Sequence, residues 1–404
     1  MGIKDLYKVI GDNCEDVLVE IDLSQLCGIK VTVDISIFLN KYVKSAGTKG
    51  WINSFIVFLC TLKKNGIKPV CIFDGPNPPK EKKSEQQRRR AEATKKAERI
   101  DRGRVLLKEV ETKYVPTSKR LLDSLKEEIK LIIGVSRNKK SSVNYDDVHD
   151  VAACLNDALD KMTTQNLPIL PEYSVMAKNL IEIMGFPSFQ ADGEAEALCA
   201  SMCHLGLVDA VISEDTDVLA IGAPFLLSKI DVKKGKITAI SYADVLSGMQ
   251  MTSPEFRDLC ILLSCDYNNR VKGFVPGSKR KTMECIGAKG AVQMINEYRR
   301  LEEAEKFMED ADPLNYRRCR ELFTPLKELP GISIPYNRPV NRKLLEQFIL
   351  KHRIHINIEY IMNMWAPVKL NFIHLASDEI EVIEDDTEDD PSDDVIDAEE
   401  DEYE

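Results

Sequence analysis

The chain has 404 residues, with 55 Lys and Arg side chains against 66 Asp and Glu, which gives a formal net charge of −11 at pH 7. Taken whole, that charge argues against a nucleic-acid partner. The acids are unevenly placed, however. Residues 378–404 hold 17 of them and no Lys or Arg, so residues 1–376 carry 55 basic and 49 acidic groups, a net of +6. The chain therefore combines a mildly basic body with a strongly acidic tail.

Composition also limits the class of protein. A hydrophobic fraction of 44% allows the body to bury a full core, which excludes a disordered or fibrous protein outside the tail. No apolar run reaches the roughly eighteen residues of a membrane span, and the start MGIKDLYKVIGD lacks the layout of a signal peptide. We therefore expect a soluble intracellular protein with no membrane partner.

Eleven cysteines are scattered without a disulfide framework, an arrangement typical of buried thiols in a reducing compartment. Cys199, Cys203 and His204 lie close enough together in the sequence to suggest zinc. They lack a fourth ligand and a CxxC pair, and they fall in the apolar run ALCASMCHLGL. A buried helix is the simpler interpretation.

Three β-branched, apolar runs predict buried strands, at residues 31–39 (VTVDISIFL), 67–73 (IKPVCIF) and 208–213 (VDAVIS). Residues 51–62 (WINSFIVFLCTL) predict a packed helix between the first two, and a second helix from about 192 to 205 precedes the third. Strands that alternate with helices favour a parallel sheet with helices on both faces, so the fold class is α/β.

A strongly basic segment follows the second strand. It predicts a helix, because it contains no Pro and only one Gly. An ordinary solvated helix face is the bland alternative. Because the surplus has one sign and begins six residues after Asp74, we expect nucleic-acid contact instead. Between residues 80 and 104 the basic side chains are Lys80, Lys82, Lys83, Arg88, Arg89, Arg90, Lys95, Lys96, Arg99, Arg102 and Arg104, against five acids.

Past Ser253 the pattern is a helix (PEFRDLCILLSCDY), a glycine-bearing turn (VKGFVPGSKRK) and a second helix that opens at IGAKGAVQMINEY. Short glycine turns between helices let backbone amides approach a phosphate closely, and the N-terminus of the second helix favours the anion. This segment therefore predicts a second contact with a polyanion.

Seven acids stand at the ends of core elements. Asp34 and Asp74 end or follow the first two strands, and the carboxyl ends of parallel strands share one crevice. Taken singly, each acid is explained by capping or by a helix dipole. Together they would repel one another unless cations neutralise them, and oxygen ligands without His or Cys select Mg²⁺ or Mn²⁺. The set is Asp34, Asp74, Glu194, Glu196, Asp215, Asp217 and Asp266.

Seven carboxylates exceed what one ion needs, so the sequence predicts two. Two divalent ions about 3.5–4 Å apart are a common arrangement for phosphodiester hydrolysis. Basic side chains nearby would hold the scissile phosphate and offset its charge. From spacing alone, the sequence indicates a metal-dependent nuclease or phosphotransferase that acts on a polyanion.

Six blocks, in order, resemble the motifs of the XPG/flap endonuclease family. They are the N-terminal MGI, VTVDISIFLN, FDGPNPPKEKK with RRRAEA, ADGEAEA, SEDTDVLAIG and LLSCDYNNRVKG, and they cover residues 1 to about 100 and 170 to about 300. The resemblance implies a PIN-like 5′-nuclease fold with a mostly parallel central sheet, a helical cap or gateway insertion, and a helix–two-turn–helix element that binds duplex DNA.

The resemblance also implies a division of the chain. We expect an N-terminal nuclease region with the basic helix at 1–104, a helical cap at 105–170, and an internal nuclease region at 171–300 that holds the helix–two-turn–helix. A charged helical extension at 301–376 and a disordered acidic tail at 377–404 follow.

By position in the family motifs, Asp34, Asp74, Glu194 and Glu196 match the ligands of a first Mg²⁺. Asp215, Asp217 and Asp266 match those of a second, and Mn²⁺ can substitute. In this family a Lys and, seven residues later, an Arg contact the scissile phosphate. Lys82 with Arg89 is our preferred pair, and Lys83 with Arg90 fits the same spacing.

The resemblance implies further DNA-binding positions. Gly2 matches a small residue near the active centre, and the helix–two-turn–helix implies a K⁺ ion. An insertion, FVPGSKRKTMEC, interrupts that element and adds Lys279, Arg280 and Lys281. Asn40 aligns with a base-stacking aromatic, so Phe38 or Tyr42 would have to substitute. The DNA-binding set is Gly2, Arg88, Arg90, Gly273, Lys279, Arg280, Gly287 and Lys289.

We therefore expect a monomeric, structure-specific 5′ nuclease that cleaves DNA at single-strand/duplex junctions such as 5′ flaps, in replication or repair, with a nuclear location. Alternatives are a nick exonuclease or a bubble or junction nuclease of the same family, and a non-catalytic DNA-binding scaffold. The acidic tail has two interpretations. It either keeps the protein soluble or screens the basic DNA-binding groove, or it pairs through Ile380, Val382 and Ile383 with the sheet edge of a partner protein.

Overall fold

The computed structural model describes residues 2–112, 119–133, 147–278, 282–329, 331–336 and 338–364. They belong to one compact unit that spans residues 1–366. The predicted disordered tail, 377–404, lies outside the described residues. Among the described helices, none has both the length and the hydrophobicity of a membrane-crossing segment.

The strands are β1 (Val19–Asp22), β2 (Lys30–Asp34), β3 (Lys68–Phe73), β4 (Ser188–Gln190), β5 (Ala210–Ile212), β6 (Phe225–Asp231), β7 (Lys236–Ser241), β8 (Lys272–Gly273) and β9 (Glu284–Cys285). Within the described residues, the first seven form one sheet in the order β1-β7-β6-β5-β2-β3-β4. Neighbours from β6 to β4 pair in parallel, whereas β7 and β1 add antiparallel edge strands. The prediction of a mostly parallel sheet is confirmed.

The helices are α1 (Leu6–Asn13), α2 (Ile35–Lys64), α3 (Lys82–Thr112), α4 (Lys119–Ile133), α5 (Val148–Gln165), α6 (Pro171–Ile183), α7 (Ala195–His204), α8 (Asp217–Ile221), α9 (Tyr242–Met249), α10 (Ser253–Leu263), α11 (Ala288–Tyr298), α12 (Leu301–Ala304), α13 (Tyr316–Leu322), α14 (Arg342–His352) and α15 (Ile358–Asn363). The basic segment is helical as predicted, and it continues to Thr112.

The first predicted strand was too long. Strand β2 ends at Asp34, and residues 35–39 open helix α2 instead. The Asp34 side chain accepts a hydrogen bond from the Ile37 amide (3.4 Å), so this carboxylate caps the helix. Helix α2 runs on past a break at Gly47, whose φ is +71°, and includes the helix predicted at 51–62.

Alternating side chains of the strands fill two cores, one on each face of the sheet. Val70 and Ile72 of β3 pack with helices α1, α7, α10 and α11, whereas Cys71 and Phe73 pack with α2 and α6. Cys199 and Cys203 are buried in helix α7 and His204 at its end is exposed, which agrees with the buried-helix interpretation of that run.

Helices α3, α4 and α5 form a separate small cluster beside the sheet. Leu125, Val151 and Leu159 are buried in it, with Leu106 of α3 packed against them. Gly103 allows close approach, since a Cβ there would lie 2.8 Å from two methyl carbons of Leu159. Within the segment predicted at 105–170, the end of α3 packs with α4 and α5, whereas Leu167 and Ile169 pack against the core of α2 and α6. Residues 113–118 and 134–146 lie outside the described residues.

Candidate active site

The predicted metal-binding acids gather at the edge of the sheet where the neighbouring parallel strands have their carboxyl ends. Strand β2 lies between β3 and β5, so Asp34 at the end of β2 meets Asp74, which follows β3. Asp74 accepts a hydrogen bond from the Ala195 amide (2.9 Å), which ties the end of β3 to the start of α7. Asp34 is 2% exposed. The parallel register brings side chains from distant parts of the chain to one edge of the sheet.

Asp215 lies in the short turn between β5 and α8, Asp217 is the first residue of α8, and both are buried. The turn is held by its own side chains. Ser213 Oγ accepts a hydrogen bond from the backbone amide of Asp215 (3.0 Å), and Asp215 Oδ1 accepts one from the backbone amide of Asp217 (3.0 Å). The motif SEDTD therefore forms a rigid loop that presents two carboxylates to the same edge.

Glu194 and Glu196 lie at the start of α7, where their negative charge is favoured by the helix dipole. Asp266 lies in the turn after α10. The side chain of Asn268 holds that turn in place. Its Oδ1 accepts a hydrogen bond from the Cys265 amide (2.9 Å), and its Nδ2 donates one to the carbonyl of Ile261 (2.8 Å).

Burial and the charges of neighbouring acids raise the pKa values of Asp34, Glu196, Asp215 and Asp217. Burial, with the charges of Asp74 and Asp215, holds the pKa of Asp34 well above its usual range. Burial likewise raises the pKa of Glu196, which Lys82 only partly offsets. The pKa of Asp217 is raised well above its usual range by burial and by Asp215. The site thus favours bound cations.

The donor set fits hard divalent ions. Oxygen ligands suit Mg²⁺ and Mn²⁺, and Asp217 Oδ1 is buried without a hydrogen-bond partner among the described residues. In the described part of the chain, no three Asp, Glu, His or Cys side chains lie in an arrangement that could hold a metal ion. A lysine and an arginine of α3 lie among the carboxylates.

Lys82 and Arg89 are these two residues. Lys82 Nζ bonds to Glu194 and lies 3.8 Å from Glu196 Oε1 and 3.9 Å from Asp266 Oδ2. Burial disfavours its charge, but the surrounding carboxylates outweigh burial and raise its pKa. Arg89 donates to Asp266 Oδ2 (2.6 Å) and to Glu85 Oε1 (2.8 Å). The two side chains lie seven residues apart, on one face of α3.

The alternative pair, Lys83 and Arg90, is exposed. Arg88 is also exposed, and it pairs with Glu85 and Glu92 on its own helix. The structure therefore brings Lys82 and Arg89 to the carboxylates, and leaves the other three basic residues along the surface of α3.

Gly2 lies against the same acids. Its φ is +81°, and a Cβ there would lie 2.0 Å from Asp215 Oδ1 and 2.8 Å from Asp217 Oδ1. The N-terminal segment is tied down by Lys4, whose amide bonds to the Ser264 carbonyl (3.0 Å). A side chain larger than hydrogen has no room at this position.

A second close approach was not identified from the sequence. Gly75 packs against the loop before α7, since a Cβ there would lie 2.1 Å from the carbonyl oxygens of Ala191 and Asp192. Its amide donates to the Gly193 carbonyl (2.6 Å). The glycines of FDG and ADG were the available signal, because each directly follows an acid at a strand end or in a loop.

The expectation that Phe38 or Tyr42 stacks on a base is wrong. Phe38 is 1% exposed and stacks on Phe58, with ring centroids 4.4 Å apart, and Tyr42 is 8% exposed. Residues 35–39 are helical rather than extended, so these rings turn into the core beneath the sheet. Asn40 is half-buried and bonds to the carbonyl of Ser36 (3.0 Å).

The remaining predicted DNA-binding residues fall, in sequence, between the end of α10 and the first turn of α11. Gly273 ends β8, which pairs antiparallel with β9. Gly287 is the N-cap of α11, and Lys289 follows in its first turn. Lys279 and Arg280 lie outside the described residues.

Comparison with known proteins decides the family. Family models match residues 1–96, as an XPG N-terminal domain, and 185–266, as an XPG I-region. Flap endonuclease 1 of Glossina morsitans morsitans is 31% identical over 345 residues, which cover 80% of this chain and 74% of that protein. The chain belongs to the XPG/flap endonuclease family.

Other members of this family agree. Flap endonuclease 1 of Drosophila mojavensis is 31% identical over 388 residues, covering 90% of this chain and 83% of that protein. The solved catalytic core of Rad2 in complex with DNA substrate is similar in fold, with a TM-score of 0.58 at 16% identity, covering 91% of this chain and 99% of that one. The predicted 5′-nuclease fold is confirmed.

The metal-free protein should lose stability as the pH rises. Asp34, Glu196 and Asp217 have raised pKa values in the folded state, so this state binds more protons than the unfolded one. Their contribution to the free energy of unfolding therefore falls as the pH rises above about 4. Urea denaturation in EDTA should show a lower midpoint at about pH 8 than at about pH 5.

Asp217→Asn should reduce the difference in urea midpoint between the two pH values, because the side-chain amide of Asn does not titrate. Asp231→Asn is the matched control, since this exposed carboxylate accepts the amides of Lys233 and Lys234 and its pKa is lowered. An equal pH dependence in wild type and Asp217→Asn would contradict the raised pKa.

Proposed function

We propose that the protein is a structure-specific 5′ nuclease that hydrolyses a DNA phosphodiester bond near a single-strand/duplex junction, with 5′ flaps as the preferred substrate. The observation that carries the proposal is the set of buried carboxylates at the strand ends with Lys82 and Arg89 placed among them. A non-catalytic scaffold would have no need of a charge arrangement that costs stability.

The proposed cofactors are two Mg²⁺ ions, which Mn²⁺ can replace, and a K⁺ ion at the α10–α11 turn by family likeness alone. Asp34, Asp74, Glu194 and Glu196 would hold one Mg²⁺, and Asp215, Asp217 and Asp266 the other. When bound, the pair activates water and stabilises the leaving 3′ oxygen.

Lys82 and Arg89 have two roles in this proposal. In the free protein they partly neutralise Glu194, Glu196 and Asp266. With divalent ions bound to these acids, Lys82 and Arg89 would be free to hold the scissile phosphate and offset the negative charge of the transition state. The products are a 5′-phosphate and a 3′-hydroxyl. The terminal base pair must unstack to reach the site, at a cost of a few kcal/mol.

The helical cluster of α3, α4 and α5 is the proposed gateway for the single-stranded 5′ end. The α10–α11 segment is the proposed contact with duplex DNA.

We also propose that the protein is a monomer and acts in replication or repair in the nucleus. Ile380, Val382 and Ile383 of the tail lie outside the described residues, and the proposed partner for them is the sheet edge of another protein.

Asp215→Asn should lower Mg²⁺-dependent cleavage of a labelled 5′-flap duplex by at least about 100-fold. The substitution removes one buried negative charge of the cation site and leaves the shape of the loop almost unchanged. Asp231→Asn, an exposed acid on β6, should cleave at the wild-type rate. Full activity in EDTA, or in Asp215→Asn, would refute the proposed chemistry. Parallel assays on nick, bubble and four-way substrates separate the flap preference from the other activities of the family.

The phosphate-binding pair can be identified by matched substitutions on one helix. Lys82→Ala and Arg89→Ala should each lower the single-turnover cleavage rate by about 100-fold, whereas Lys83→Ala and Arg90→Ala should lower it by less than about threefold. Each control removes the same charge one position away. The opposite ranking would assign the phosphate contact to Lys83 and Arg90.

A further inference from the structure

Helix α13 (Tyr316–Leu322) lies outside both family models, which end at residues 96 and 266. It nevertheless contacts two segments that carry site residues. One is the start of α3, with Lys82, and the other is the turn after α10, with Asp266. None of the six sequence blocks covers this part of the chain.

Arg318 of α13 reaches the start of α3. Its Nε donates to Glu81 Oε1 (3.1 Å), and a terminal nitrogen donates to Glu321 Oε2 (2.7 Å) on its own helix. Glu81 directly precedes Lys82. The second carboxylate oxygen of Glu81 is buried and has no hydrogen-bond partner among the described residues. Arg318 is thus the side-chain partner of a partly buried charge at the start of α3.

The same helix supports both neighbours of Asp266. The thiol of Cys319 is fully buried beside that of Cys265, which precedes Asp266, and it donates to the carbonyl of Leu314 (3.6 Å). Phe323, just past the helix, packs edge-on against Tyr267, which follows Asp266, with ring centroids 5.7 Å apart. The residues on both sides of Asp266 therefore pack against α13 or the residue that follows it.

Arg320 anchors α13 itself. Its guanidinium donates to both oxygens of Asp258 (2.7 and 2.6 Å), a residue of α10 that is 3% exposed, and to Glu302 of α12 (2.5 and 2.9 Å). Such bidentate pairs are geometrically specific. Arg320 thus fixes α13 to α10 and α12, and Arg318 extends from this fixed helix toward the start of α3.

We infer that Arg318 is a positioning residue, which holds the first turn of α3 so that Lys82 stays aligned with Asp266 and the other acids. The inference rests on the proposed function. Arg318 acts through Glu81 and does not touch the reacting phosphate. The expected defect is therefore in the cleavage step and not in substrate binding.

Arg318→Gln should lower kcat on a 5′-flap duplex about fivefold with KM unchanged, a size suited to the loss of one partly exposed ion pair. Arg317→Gln is the matched control, since Arg317 is exposed and lies over the ring of Tyr316 in its own helix. This control should keep the wild-type kcat. A wild-type kcat in Arg318→Gln, or an equal loss in both variants, would overturn the inference.

A double-mutant cycle separates positioning from general destabilisation. If Arg318 acts through Glu81, the double variant Glu81→Gln/Arg318→Gln should be no slower than the slower single variant. Multiplied losses would show that the two residues act independently and would overturn the inference.

Hydrogen exchange tests the same contact without catalysis. The amides of Lys82 and Lys83 bond to the carbonyls of Pro79 and Lys80 (both 3.2 Å). They should exchange faster in Arg318→Gln than in wild type or Arg317→Gln, and unchanged exchange would overturn the inference. If the wild type cleaves no flap, the proposed function fails, and the exchange result still decides the role of Arg318.

Discussion

The structure depends on the cost of burying like charges together. Asp34, Glu196 and Asp217 are almost fully buried at one sheet edge, and burial and mutual repulsion raise their pKa values. A folded protein keeps such a cluster only if cations offset it. Within the described chain, Lys82 and Arg89 supply part of this offset. The rest is available to the proposed metal ions, so the same cluster would serve catalysis at a cost in stability.

The parallel sheet is what makes the cluster possible. With β2 between β3 and β5, three strand ends meet although their acids are up to 183 positions apart in sequence, from Asp34 to Asp217. Glycines then remove the steric obstacles. Gly2 leaves room for the carboxylates of Asp215 and Asp217, and Gly75 lets two loop backbones touch. Lys82 and Arg89 of the basic helix contact Glu194, Glu196 and Asp266. Helix α13 contacts both the start of the basic helix and the turn of Asp266.

Much of this could be predicted because buried parallel strands have a clear apolar signature and the acids directly follow it. The end of β2 could not be predicted, because residues 35–39 are as β-branched and apolar as the strand itself. Only the cap by Asp34 and packing against the sheet make these residues helical. That misplaced boundary also produced the wrong expectation for Phe38 and Tyr42. The ion pair of Arg318 with Glu81 joins residues 237 positions apart, and although Glu81 lies in the block FDGPNPPKEKK, Arg318 belongs to none of the six blocks.

The central claim is that the carboxylate cluster is a binding site for two divalent ions. Calorimetric titration of Mn²⁺ into the metal-free protein with an uncleavable flap substrate tests it most directly, because stoichiometry does not depend on turnover. The account predicts two saturable sites in the wild type and at most one in the variant Asp215→Asn/Asp217→Asn. Absence of saturable binding in the wild type, or two intact sites in that variant, would contradict it.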